Sequence, residues 1–392
     1  MFANPLFSSL GTTIFEVMSR LAADHGAVNL GQGFPEGLEP PFLVEAAVRA
    51  MAEGPHQYPP MLGLPALRQA VAAHDKRFYG LDLDWQSEVM VTSGATEALA
   101  DCLFGLITPG DEVVVLEPFY DSYLPIIRRA GGTPRIVRLN PPDWTLPRGE
   151  LAAAFTAKTR LMILNSPMNP TGKLFGPDDL SFIADLLIRH DAYVICDEVY
   201  EHLTYDGARH IPLMTLPGMR ERTLRIGSAG KTFSVTGWKV GYVVGDAELL
   251  KPVVKAHQFL TFTTPPALQR AVAEGLATGD AYYSALTADL ERRRDFLAAG
   301  LRRVGFEVLP CEGSYFLTAD IRPLGFSDDA DFCRRLTVEA GVAAVPVSAF
   351  YESDPPRHYA RFCFAKLDET LEEAVKRLER FFVKGSGSPS VA

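Results

Sequence analysis

Residues 225–242 read RIGSAGKTFSVTGWKVGY, and the GSAGKT inside them admits two chemistries. Glycine, lysine and threonine in that order close a nucleotide-binding loop in some enzymes and present a lysine for covalent chemistry in others. The nucleotide loop has the spacing G-x-x-x-x-G-K-[ST], which puts a glycine at 225 when the lysine is Lys231. Arg225 stands there instead. A nucleotide-loop lysine also opens a long helix, whereas TFSVTGW holds β-branched residues and Gly237 and soon runs into the apolar VGYVV. YVICDE resembles the apolar run plus acid that holds magnesium in such enzymes, but it precedes the lysine, the reverse of the usual order. The spacing favours a lysine that forms a Schiff base with a carbonyl. Such an amine needs a snug, partly desolvated site to lower its pKa.

Outward from this stretch, short apolar runs alternate with helical patterns. EVMV (88–91), EVVVL (112–116), LMIL (161–164), YVIC (193–196), TLRI (223–226) and VGYVV (240–244) have the length and β-branched content of buried strands. ATEALADCLFGL and DDLSFIADLLIRH between them carry apolar residues at three- and four-residue spacing, as helices do. The alternation predicts an α/β domain over 41–280 with a mostly parallel sheet. From 281 to 392 the texture changes to long charged helices, ALTADLERRRDFLAAGLRRVG and ETLEEAVKRLERFFVK, around the short strands SYFLTAD and ARFCF. That predicts a smaller α+β domain, with residues 1–40 as an arm and a contribution to it. The Gly/Ser-rich tail GSGSPSVA, 385–392, is expected to be disordered.

Composition removes other classes. Of the 392 residues 47% are hydrophobic and 22% charged, enough to bury a sizeable core, so disorder is not the default. The net charge of −10, with no basic block, argues against nucleic acid or an anionic membrane as partner. Five cysteines form no CxxC pair and read as reduced, mostly buried thiols. The N-terminus lacks a basic start followed by a sustained apolar stretch, and the protein is expected to be cytoplasmic.

In an open α/β sheet, ligands sit beyond the carboxyl ends of the strands. Five of the runs are followed by TSGATEA, EPFYDSY, NSPMNPTGK, DEVYEH and GSAGKT, each polar or glycine-rich, and five such ends in one sheet point to one site. Pyridoxal phosphate needs a lysine for its Schiff base, a carboxylate at the ring nitrogen, and amides at a helix start for the phosphate. Lys231, Asp197 and the Ser93-Gly94-Ala95-Thr96 stretch supply those types. By itself Asp197 reads equally well as the cap of EVYEHL. EVYEH evokes a zinc-binding pattern, but Glu198 stands where its first histidine belongs, and no metal site is expected.

SAGKTFSVTGWKVGY, NSPMNPTGK, CDEVYEHLTYDG, NLGQGFPEG, EPFYDSY and RFCFAK together resemble the class I, fold type I aminotransferases that depend on pyridoxal phosphate. The subgroup of kynurenine, glutamine and methionine aminotransferases is the most similar, and the resemblance runs from about Asn29 to Lys366. It implies a large domain with the seven-stranded type of sheet and a smaller α+β domain. It also implies that Lys231 carries the cofactor, that Asp197 pairs with the ring nitrogen, and that Tyr200 hydrogen-bonds the ring hydroxyl oxygen with Asn169 beside it. Ser228, Lys239, Gly94 and Ala95 are implied at the phosphate, and Tyr120 on the ring face. Lys239 departs from the arginine common in the wider family but matches the GWK of this subgroup. Arg361 of RFCF is implied to pair with the substrate α-carboxylate, with Phe15 and Gly33 around the side chain.

The resemblance further implies a homodimer with shared active sites. Tyr58 of HQYPPMLG would reach the partner's phosphate, and Phe262 and Thr263 of FTTPP would line the partner's substrate pocket. The implied reaction moves an α-amino group from an aromatic, methionine, glutamine or kynurenine-like amino acid to a 2-oxo acid, in ping-pong fashion. Lys231, once displaced by substrate, serves as the base that moves the α-proton. Two alternatives stay open: β-lyase action on cysteine conjugates, and transamination of an N-acylated diaminopimelate. The sequence names neither donor, acceptor nor pathway.

Overall fold

The six apolar runs are all strands of one sheet. In the computed structural model, which describes residues 3–382, they form with one further strand a seven-stranded sheet. The strands are β1 (Val89–Thr92), β2 (Glu112–Glu117), β3 (Thr133–Arg138), β4 (Thr159–Asn165), β5 (Tyr193–Asp197), β6 (Thr223–Ser228) and β7 (Gly241–Gly245). Their order across the sheet is β1-β7-β6-β5-β4-β2-β3. Only β7 runs against its neighbours; the other pairings are parallel. Alternate side chains enter different cores: Val113, Val115, Leu161 and Ile163 pack on one side, and Val114, Leu116, Met162 and Leu164 on the other. Burial of both faces is why these strands read as unbroken apolar runs.

The strand the sequence did not reveal is β3. It lies at the sheet edge, its side chains are mostly exposed or half-buried, and TPRIVR carries no apolar run to mark it. Helix Ala95–Leu106 coincides with ATEALADCLFGL, and Pro177–Arg189 takes its proline at the first turn, where no amide is required.

The C-terminal part of the chain holds a four-stranded antiparallel sheet of β8 (Glu307–Val308), β9 (Phe316–Asp320), β10 (Val345–Pro346) and β11 (Tyr359–Cys363), in the order β10-β11-β9-β8. Helix Asp280–Arg303 packs on it, and helix Asp368–Phe382 packs on that helix. SYFLTAD becomes a strand only from Phe316, because Ser314 turns with φ +64°. That turn delivers Tyr315 elsewhere. Val28–Asn29 pairs in parallel with Val342–Ala343, tying the N-terminal segment to this part of the chain. The five cysteines are buried and free. Among the described residues no helix is long and apolar enough to cross a membrane. The tail 385–392 lies outside the described residues.

Candidate active site

The parallel strands all end on one side, and the residues just past them converge. Beyond β4, β5 and β6 stand Asn169, Tyr200 and Lys231; beyond β2 stands Tyr120, and beyond β1 the Gly94 turn. Lys239 precedes β7, which runs the opposite way and so begins where the others end. These side chains line a cavity of about 270 Å3 together with Phe15, Gly33, Ala95, Asp197, Ser228 and Arg361.

Lys231 leaves the four-residue helix Ala229–Thr232, and its Nζ donates to the hydroxyl of Tyr315 at 2.7 Å. Tyr315 in turn donates to the Gly33 carbonyl at 2.8 Å, so the amine is aimed by a chain of two bonds. Burial lowers the Lys231 pKa to about 8, with Asp197 opposing and Arg361 assisting. Asp197 is buried at the end of β5; its Oδ2 accepts from Tyr123 at 2.6 Å, and among the described residues its Oδ1 has no hydrogen-bond partner. Burial raises its pKa, against the Tyr123 bond. A buried, half-satisfied carboxylate is costly unless a cation completes it.

Arg361 enters from β11. It is fully buried, its Nη1 donates to Asn169 Oδ1 at 2.8 Å and its Nη2 to the Gly31 carbonyl at 2.9 Å, while Nε has no partner among the described residues. The guanidinium lies 3.9 Å from the centre of the Phe316 ring, and burial lowers its pKa to about 10, so it is charged at neutral pH. Asn169 is positioned by its own amide, which donates to Asn165 Oδ1 at 2.8 Å. Asn165 also donates to the backbone carbonyl of Asp197 at 2.8 Å. Tyr200 packs edge-on to Tyr315 with ring centres 5.1 Å apart, and burial raises its pKa well above the phenol range. Tyr120 is a mostly buried wall, its pKa pushed up to about 12 by burial.

At the other end of the cavity, Gly94 caps helix Ala95–Leu106 with φ +79°. A Cβ there would stand 3.3 Å from Lys239 Nζ, so glycine keeps this end open as well as permitting the turn. The first amides of the helix have no intrahelical partner and, with the Lys239 ammonium and Ser228, suit a dianion.

Three residues expected at a partner's site lie outside this cavity. Tyr58 is 83% exposed, Phe262 is 41% exposed, and their rings touch edge to face with centres 5.7 Å apart; neither they nor Thr263 line the cavity. Four residues that do shape the site were not expected: Tyr315, Tyr123, Asn165 and Phe316. His202 of EVYEH has its Nε2 2.7 Å from His74 Nε2, while both oxygens of Glu201 are engaged by Arg225, Tyr79 and Tyr242.

The free Oδ1 of Asp197, the Lys231 amine of lowered pKa and the glycine-lined helix start fit pyridoxal phosphate, and fold and site define a fold type I enzyme dependent on that cofactor. The family model for aminotransferase class I and II matches residues 26–378. The chain is 47% identical over 378 residues to a Mycobacterium tuberculosis protein named "probable N-succinyldiaminopimelate aminotransferase", covering 94% of this chain and 95% of that one. It is 41% identical over 385 residues to the methionine aminotransferase of Escherichia coli, covering 97% and 100%. The solved structure of N-succinyldiaminopimelate aminotransferase from Mycobacterium tuberculosis superposes with a TM-score of 0.94 over 96% of this chain and 99% of that one, at 47% identity. This chain belongs to the class I and II aminotransferases and is a pyridoxal-phosphate-dependent transaminase.

Proposed function

We propose that this aminotransferase takes its amino group from an aromatic, methionine, glutamine or kynurenine-like amino acid and passes it to a 2-oxo acid. The observation that carries the reading is Arg361, a buried cation with a free Nε, in one cavity with Lys231 and beside the apolar rings of Phe15 and Phe316. A carboxylate suits the fork and a neutral side chain suits the rings.

Bound pyridoxal phosphate supplies the carbonyl that takes the amine and an electron sink for charge at the α-carbon. Lys231 carries the group and moves the α-proton, its amine made available by burial and aimed by Tyr315. Asp197, held by Tyr123, would keep the ring nitrogen protonated. Of the residues that line the cavity, Tyr200 and Asn169 would hold the ring hydroxyl oxygen, Tyr120 would cover the ring face, and Gly94, Ala95, Ser228 and Lys239 would hold the phosphate. Arg361 binds the α-carboxylate, and Gly33 and Phe15 border the side chain.

We further propose a homodimer in the cytoplasm. Tyr58, Phe262 and Thr263, outside their own chain's cavity and partly exposed, then complete the partner's site. The division into 1–40, 41–280 and 281–392 goes with this assignment.

A panel of amino acids with 2-oxoglutarate, pyruvate and a 2-oxo-4-methylthio acid tests the reading. Methionine, glutamine or an aromatic donor should lead, and a panel led by aspartate would overturn it. The Mycobacterium tuberculosis relative supports a second reading, an N-acylated diaminopimelate as donor. That compound belongs in the same panel, and its dominance by a hundredfold or so would select it.

A further inference from the structure

His257 belongs to no role above, yet it joins the turn before Gly94 to the segments that carry Tyr58 and Phe262. It lies near the end of helix Ala247–Leu260 and is fully buried. Its Nδ1 is 2.7 Å from Glu97 Oε1, and its Nε2 is 3.0 Å from the backbone carbonyl of Met61. A carboxylate and a carbonyl both accept, so both ring nitrogens carry protons and the side chain is an imidazolium. The other oxygen of Glu97 accepts from the amide of Ser93, the residue before the Gly94 turn. Met61 lies three residues beyond Tyr58, and the carbonyl of His257 accepts from the amides of Thr261 and Phe262 at 3.2 and 2.9 Å. Asp101, one turn after Glu97, stands 3.5 Å from Nδ1 with neither oxygen hydrogen-bonded among the described residues, so it acts on the imidazolium through charge.

We infer that His257 is a positioning residue: its imidazolium fixes the Ser93–Ala95 turn, through Glu97, in register with the Tyr58 loop and the Phe262–Thr263 loop, and so sets affinity for the cofactor's phosphate. The inference rests on the phosphate and partner assignments proposed above. Burial lowers the pKa of His257, but the carboxylates of Asp101 and Glu97 outweigh it and hold the value up at about 10, so the clamp stays charged across the working range. The two helices that carry its ends are in close contact. A Cβ at Gly105 would stand 2.9 Å from the backbone of Pro252, which leaves the clamp little slack.

The test compares pyridoxal phosphate with pyridoxal, which lacks the phosphate, by titrating each into full-length protein stripped of cofactor. His257→Asn retains a donor at the Nδ1 position and loses the Met61 bond; His257→Gln retains one at Nε2 and loses the Glu97 bond; His257→Leu loses both. Each single loss should weaken pyridoxal phosphate about tenfold and the double loss about a hundredfold, with pyridoxal changed less than twofold. Should the leucine variant not fold, the asparagine and glutamine variants carry the comparison. Loss of both ligands together, or of neither, overturns the inference. Lys239→Ala serves as the control: if it leaves the preference for the phosphate intact, the phosphate assignment itself is wrong and the clamp falls with it. A preference lost in Lys239→Ala but kept in the His257 variants refutes the clamp alone.

Discussion

Arg361→Lys keeps the charge at the substrate end of the cavity and changes the shape that carries it. In the native side chain Nη1 and Nη2 are tied to Asn169 and Gly31 and the plane lies on Phe316, so the fork cannot swing. Lysine has one nitrogen for the same duties. Its three donors share that one nitrogen, so bonds to Asn169 and Gly31 leave it no paired fork for the carboxylate, and it presents a point charge where a planar pair stood. A hydrogen bond to a charged group contributes about 1.5 to 3 kcal/mol, and losing one such bond plus the fixed geometry should cost roughly 2 to 4 kcal/mol in kcat/KM, or about 30- to 1000-fold. The measurement is kcat/KM for several donors, with the cofactor absorbance band and thermal unfolding as controls. The loss should fall on every donor alike, while spectrum and Tm stay near wild type. A variant within threefold of wild type on all donors, or one that sheds pyridoxal phosphate, would refute the assignment of Arg361 to the carboxylate.

Lys231 should respond to pH through its neutral amine: burial lowers its pKa to about 8, so cofactor uptake by the stripped protein should accelerate as pH rises and level off above about 8, and stopped-flow absorbance checks this. Lys231→Ala should bind the cofactor only non-covalently and transaminate nothing. Asp101 is buried and without hydrogen bonds, and burial raises its pKa to about 7 from an ordinary value near 4. A folded-state pKa above the unfolded one means stability falls as pH climbs from about 4 to 7. Asp101→Asn should therefore unfold about 1 to 3 °C higher than wild type at pH 8.5, and the gap should shrink toward pH 4. Calorimetry at several pH values decides it. Arg225→Met would leave Asp75, Glu198 and Glu201 buried without their shared cation, at an expected cost of about 3 to 5 kcal/mol, visible as insoluble expression or a much lowered urea midpoint.

Arg225 also measures what the sequence could and could not say. As a residue it only broke a nucleotide-loop spacing; nothing local announced that it would sit fully buried among three carboxylates, with Tyr79 4.8 Å away. Those partners are 24 to 150 residues distant along the chain, and side-chain pairing over such separations leaves no periodic trace. The strands of the large sheet were legible for the opposite reason. Burial on both faces makes each a continuous apolar run, whereas edge strand β3, needing no such run, was invisible. Helix Ala95–Leu106 was legible as a segment, because apolar residues recur at three- and four-residue spacing along it.

The cavity shows the same division. Lys231 and Asp197 were legible in their strand-end stretches, whereas Asn169 and Arg361 were named only through the family resemblance of NSPMNPTGK and RFCFAK. Tyr315 and Tyr123 were not, since a tyrosine in SYFLTAD or EPFYDSY reads as core until its hydroxyl is found on Lys231 or Asp197. Both hydroxyls act on a group the sequence did reveal. Tyr315 accepts from the lysine and passes a bond to Gly33, so it fixes the amine's direction without competing for the carbonyl carbon. Tyr123 occupies one oxygen of Asp197 and leaves the other free, which suits a carboxylate that must stay charged for a cation still to come. The residues proposed to carry the chemistry lie at or just past strand ends, except Arg361 inside β11, and two of those that orient them, Tyr123 and Asn165, lie in the same strand-end stretches. Reading strand ends therefore marks where the cavity is without separating the groups proposed to react from those that aim them.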